Sequence, residues 1–174
     1  MDVQLKFILT QVNDWLKFAE IKNSGLFAVN GAGVIGLLVL LQTMTDYSWL
    51  KSVVYYVVIM LVFSLATCLL SFFPRTKLPW LNQKKKPSEN DNPIFFAHIS
   101  YYSPHDYLRL LQAAVNKNDY NATQFDISLA EQIIINSQIA VRKYRFFNIA
   151  LFFTLSAILT PFIALLLIVI FRKY

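Results

Sequence analysis

Three long apolar runs, at residues 25–44, 50–73 and 146–171, the last interrupted only by Pro161, constrain this chain more than any other feature. Each is near the roughly 20 residues that an α-helix needs to cross the hydrocarbon core of a bilayer. Inside hydrocarbon every backbone polar group must find its partner within the protein, which leaves helices or closed barrels. Alternating strand patterns are scarce, so the expected fold class is an all-α integral membrane protein. Its parts are an N-terminal two-span hairpin, a cytoplasmic helical layer and a third, C-terminal span. The 56% hydrophobic content agrees, since an ordinary soluble domain carries less.

The expected organisation is an amphipathic cytoplasmic helix at 1–24, spans at 25–44 and 50–73, a basic helical segment at 74–145, and a last span at 146–171. Ahead of the first span, Leu5, Ile8, Leu9, Val12, Leu16 and Ala19 recur at helical spacing. That pattern predicts a helix running straight into the membrane, with no cleavable signal peptide before it. The stretch Thr45-Asp46-Tyr47-Ser48-Trp49 is too short to hold a domain, and its two aromatic rings suit the interfacial belt. Residues 79–93, rich in lysine, proline and asparagine, read as a connector. Ser103-Pro104-His105-Asp106 then places a capping residue before a first-turn proline. A last helix begins near Thr123 or Gln124 and meets neither proline nor glycine until Pro161, so it is expected to carry directly into the third span.

Arg75, Lys77, Lys84, Lys85, Lys86, Arg109, Lys117, Arg142, Lys143 and Arg145 all fall between the second and third spans. By the positive-inside rule this segment and the N-terminus face the cytoplasm. The short Arg172-Lys173-Tyr174 tail is the one discordant signal. A formal net charge of +6 favours anionic lipid headgroups or a phosphate-bearing partner. The single cysteine, Cys68, lies inside an apolar run, which excludes an intramolecular disulfide and points to packing.

Few positions suggest chemistry. Gly25, Ala28, Ala32 and Gly36 fall at three- and four-residue steps in the first span, with Asn30 in the same run. Such a stripe suits helix packing or oligomerisation, or a bistable, hydrated interface lined by the asparagine. Lys84, Lys85 and Lys86 read as a headgroup anchor or as a phosphate site. Gln132, Asn136, Arg142 and Lys143 share one expected helix, from which polar and cationic side chains can grip a ring and its phosphate. Tyr101, Tyr102, Tyr107, Phe95, Phe96 and His98 form an aromatic group that serves either as core or as a stacking platform for a base. His98 and His105 lack the partners of a metal site, and there is no phosphate loop, serine elbow or zinc-protease signature. An enzyme is not expected, nor a cofactor.

Three blocks carry a resemblance: WLKFAEIKNSGLFAVNGAGVIGLL at 15–38, NPIFFAHISYYSPHDYLRLL at 92–111 and LAEQIIINSQIAVRKYRFFNIA at 129–150. They resemble the small transmembrane effectors of bacterial pyrimidine cyclase anti-phage systems, the Pycsar effector transmembrane proteins. The first is similar to that family's amphipathic opening, the second to its aromatic stretch ahead of a Ser-Pro-capped helix, and the third to its Gln-rich helix entering the last span through a basic doublet. The resemblance implies an inner-membrane, homo-oligomeric effector that senses a cyclic nucleotide, cyclic UMP or cyclic CMP, and impairs membrane integrity before the phage finishes replicating. A cyclic dinucleotide is the alternative signal. Expected ligand contacts are Arg142, Lys143 and Arg145 for phosphate, with Tyr101, Tyr102 and His98 near the base. Membrane lipids are further partners, and neither DNA nor RNA is expected. Two other readings stay open: a constitutive membrane scaffold or accessory subunit, and a pore-forming toxin that needs no ligand.

Overall fold

A computed structural model describes residues 1–44, 48–73, 88, 91–116 and 121–171. The described residues are all-α, with no strand among them. The helices are α1 (Asp2–Thr43), α2 (Ser48–Phe72), α3 (Phe96–Ile99), α4 (Pro104–Ala114) and α5 (Gln124–Phe171). Three of them, α1, α2 and α5, are long and apolar enough to cross a membrane. Lys84, Lys85 and Lys86 lie outside the described residues, as do Thr45, Asp46 and Tyr47 of the hairpin connection.

Helix starts are set by local side-chain chemistry. At α4 the Ser103 hydroxyl accepts from the Asp106 amide at 3.2 Å, and Pro104 occupies the first turn, where a missing N–H costs nothing. Asn116, at φ 53, follows the α4 C-cap in the left-handed conformation that asparagine tolerates best after glycine. At α5 the Thr123 hydroxyl accepts from the Asp126 amide at 3.2 Å, while the Asp126 carboxylate accepts from the Thr123 backbone N–H at 2.8 Å. This reciprocal box satisfies two donors that the helix itself leaves open. With no proline or glycine before Pro161, α5 runs on, and it continues through Pro161 at the cost of one backbone hydrogen bond.

The chain divides into two compact units: residues 1–21 with 74–144, and residues 22–73 with 145–174. Helices α1 and α5 contribute to both. In the first unit, Leu5, Ile8 and Val12 of α1 are buried at a spacing that places them on one helical face. They share a core with Phe96 and Ile99 of α3, Tyr107, Leu108 and Leu111 of α4, and Ala130, Ile133 and Ile134 of α5. Each large side chain removed from water in this way contributes about 1.5–3 kcal/mol.

The second unit is a three-helix arrangement of a different character. Asn30 meets Ser64, and the Gly33 position meets Leu61, so the residue numbers of α1 and α2 run in opposite directions along their contact. Against α5, Ser64 meets Ala150 and Tyr56 meets Ser156, which makes α2 and α5 antiparallel as well. Buried positions here are mostly small or polar, including Asn23, Asn30, Ser64, Cys68, Ser71, Ala150, Thr154 and Ala157. Large apolar side chains such as Val29, Ile35, Phe63, Phe152 and Phe162 point outward. An inverted distribution of this kind is what hydrocarbon demands: lipid solvates the large apolar groups, and small residues let helices approach closely.

Candidate functional site

Within the first unit, α1 and α5 carry a cationic and aromatic cluster. Lys143 Nζ lies 3.1 Å from Glu20 Oε1, with the lysine side chain 12% exposed and the glutamate 49%. Tyr144, the next residue, stacks on Phe96 with ring centroids 5.3 Å apart. Trp15 of α1 closes the cluster, 5.5 Å from Phe96 and 6.5 Å from Tyr144. Burial pushes the Tyr144 hydroxyl above the usual phenol range, because the charged form would lose its hydration. Trp15 keeps 40% of its surface exposed, so this stack combines a buried edge with an open face.

Phe95 extends the aromatic group, meeting Phe96 at 5.0 Å and His98 at 5.2 Å, both edge to face. His98 Nδ1 accepts from the Asn92 amide at 2.9 Å, so the neutral ring carries its proton on Nε2. Asp91 holds this segment through Oδ2, which accepts from Tyr102 at 3.1 Å and from the Ser88 amide at 3.0 Å. Burial and the adjacent Asp91 carboxylate together raise the Tyr102 hydroxyl, which also donates to the Ser88 carbonyl at 3.0 Å.

The expected ligand residues therefore sit in different settings. Tyr102 is buried, its ring against Tyr107 and its hydroxyl engaged by Asp91 and Ser88. His98 and Tyr101 are half-buried, as are Arg142, Lys143 and Arg145. Arg145 belongs to the second unit, whereas the other five belong to the first. Gln132 and Asn136 hydrogen-bond to each other at 2.9 Å, and Asn136 reaches Asn13 of α1 at 2.8 Å. Gln138 holds the Ser100 carbonyl at 3.1 Å, fixing the turn that carries Tyr101. Sequence reasoning missed Trp15, Glu20 and Asp91. Among the described residues no cluster of three or more potential ligands is suited to a metal ion.

The second unit has a buried polar layer joining all three of its helices. Asn30 donates to Ser64 at 2.8 Å and to Thr154 at 2.9 Å, while Ser64 donates to the Ala150 carbonyl at 2.8 Å. Tyr56 and Ser156 form a further α2–α5 hydrogen bond at 2.8 Å. Each of these groups would carry a desolvation penalty if left alone in an apolar surround, so together they specify one packing. Gly25, Ala28, Ala32 and Gly36 lie outside this layer on exposed positions of α1. A side chain added at Gly25 or Gly36 would meet nothing within 4 Å.

No curated protein and no solved structure matches the chain. A family model does: the Pycsar effector protein domain matches residues 4–170, which takes in α1 almost whole, both units and nearly all of α5. Three helices fit to span a membrane, and a family match running from one end of the fold to the other, place the chain in the Pycsar effector family of anti-phage defence.

Proposed function

We propose that this protein is a signal-gated effector of the inner membrane, which senses a cyclic pyrimidine mononucleotide, cyclic UMP or cyclic CMP, and impairs membrane integrity so that infection aborts. The observation that carries the reading is the match of the Pycsar effector domain across residues 4–170, since effectors of such systems answer a cyclic nucleotide signal. In this reading the N-terminus and residues 74–145 face the cytoplasm, where the signal is made. Arg142 and Lys143 take the phosphate, with Tyr101, Tyr102 and His98 grouped toward the base. Lys143, next in sequence to Tyr144 of the Trp15, Phe96 and Tyr144 aromatic group, supports this, because cationic and aromatic side chains on one stretch suit a ligand with one phosphate and one base.

Output belongs to the three spans. A ligand moves a mostly closed population to a mostly open one only if it binds the open state better by about 5.5 kcal/mol. Several subunits, each binding one ligand, meet that demand more easily than one, which favours a homo-oligomer. The outward stripe of Gly25, Ala28, Ala32 and Gly36 is the face on which a second copy packs closely. The buried Asn30, Ser64 and Thr154 layer is then the contact that must rearrange when the membrane is breached.

The direct test is binding of cyclic UMP and cyclic CMP to the purified protein, alongside a variant carrying both Arg142→Ala and Lys143→Ala. Saturable binding of one nucleotide that the variant loses, with the variant still inserted in membranes, is the expected result. Equal binding by the variant would remove both residues from the site.

A further inference from the structure

The Glu20–Lys143 pair is asymmetric in a way that bears on how a signal is read. The Lys143 side chain is 12% exposed, while Glu20 opposite it remains 49% exposed. A half-buried lysine favours an anion beside it, because part of its hydration has been given up. The half-open glutamate is free to swing into solvent at little cost, so the anion beside Lys143 is the exchangeable half of the pair. Its 3.1 Å contact ties α1 to α5, and Glu20 and Lys143 are the last charged residues of those helices within the first unit. The neighbouring Tyr144, stacked on Phe96 and edge-on to Trp15, holds the backbone that carries Lys143.

We propose that Glu20 is an internal stand-in for the ligand: its carboxylate holds Lys143 in the resting state, and the phosphodiester of the signal displaces it. This rests on the nucleotide-sensing reading above and adds the resting-state competitor to it. A carboxylate and a cyclic phosphodiester each bring one negative charge and two open acceptor oxygens, so one replaces the other without leaving the lysine uncompensated. Exchange converts a contact between α1 and α5 into a contact between α5 and ligand. The exchange thereby removes this one tie between α1 and α5 when the signal is present, and leaves the Asn13–Asn136 hydrogen bond and the shared core in place.

The experiment is a binding titration of the full chain in a nonionic detergent with cyclic UMP, cyclic CMP and a short-chain phosphatidylglycerol. It compares wild type, Glu20→Gln, Lys143→Gln and the double variant, each checked for thermal unfolding. Removing the competitor should tighten nucleotide binding by at least about threefold, in line with the modest strength of a partly exposed ion pair. Lys143→Gln should abolish binding, and adding Glu20→Gln to it should restore nothing, since Glu20 acts through Lys143. Should wild type bind neither nucleotide while Glu20→Gln binds one, the competitor role is supported in its strongest form. Wild-type binding that Glu20→Gln leaves unchanged or weakens would overturn the stand-in role and leave the sensing reading intact. Binding of neither nucleotide by either protein would overturn both. A response to Glu20→Gln seen only with phosphatidylglycerol would overturn the nucleotide assignment and give the contact to a lipid headgroup.

Discussion

Asn30 donates an amide proton to the hydroxyl of Thr154 at 2.9 Å, joining α1 to α5 across 124 positions of the sequence. The same amide reaches Ser64 of α2 at 2.8 Å, so one side chain ties together the three helices of the second unit. Replacing it by leucine leaves Ser64 and Thr154 bonded to each other at 3.0 Å and to the Ala150 carbonyl. The expected loss for Asn30→Leu is therefore about 1 kcal/mol, the scale of an interhelical hydrogen bond in a bilayer. Titration with a denaturing detergent should show an earlier unfolding midpoint, and an unchanged midpoint would mean that the amide contributes nothing.

The two capping sites differ in burial, and their variants should differ accordingly. Ser103→Ala removes an exposed cap from α4 and should cost about 1 kcal/mol. Thr123→Ala strips one donor from Asp126, a residue only 2% exposed, and should cost more, about 2 kcal/mol. Denaturant midpoints measured on both variants test the order, which a larger loss for Ser103→Ala would reverse.

Tyr107 is fully buried, and burial drives its ionisation far above the ordinary phenol range. Its folded-state pKa is raised, so the stability it confers is complete below the unfolded value of about 10 and declines as pH rises beyond it. Tyr107→Phe abandons the hydrogen bond to the Pro93 carbonyl and should cost about 1 kcal/mol at neutral pH. Above pH about 10 the gap should narrow, because phenylalanine has nothing to ionise when the chain unfolds. Denaturation at neutral and alkaline pH reads both effects, and a gap that widens with pH contradicts the assignment.

The glycines of α1 separate packing within the chain from packing between copies. Gly36→Leu or Ala32→Leu changes an exposed position and should abolish crosslinked oligomers while leaving the unfolding midpoint in place. Gly33→Leu should do the reverse, since a Cβ there already approaches Leu61 at 3.3 Å, and overpacking of this kind costs about 1–3 kcal/mol. Identical oligomers in Gly36→Leu and Ala32→Leu would show that the stripe is not the interface.

Much of this fold was legible because it depends on local rules. Three apolar runs, the Ser103-Pro104 start and the proline-free stretch after Thr123 mark α1, α2, α4 and α5, and the spacing of Leu5, Ile8 and Val12 marks a buried face. The site was less legible because its contacts are long-range. Nothing in the periodicity pairs Glu20 with Lys143, or brings Trp15 onto Phe96 and Tyr144, since each requires α1 and α5 to be set side by side at one register. Trp15 and Glu20 stand within the first block of family resemblance, yet a helical wheel places them only at the two edges of the apolar face of α1. By composition Asp91 belongs to a connector, and only the fold shows it joining Tyr102 to Ser88.

The central claim is that a cyclic pyrimidine nucleotide opens this protein's hold on the membrane. Membrane potential should be followed by dye fluorescence in cells expressing the protein, while an inducible cyclase supplies cyclic UMP, cyclic CMP or a cyclic dinucleotide. Depolarisation confined to one of the pyrimidine mononucleotides is the predicted result, whereas depolarisation without any nucleotide, or none under every condition, would contradict it.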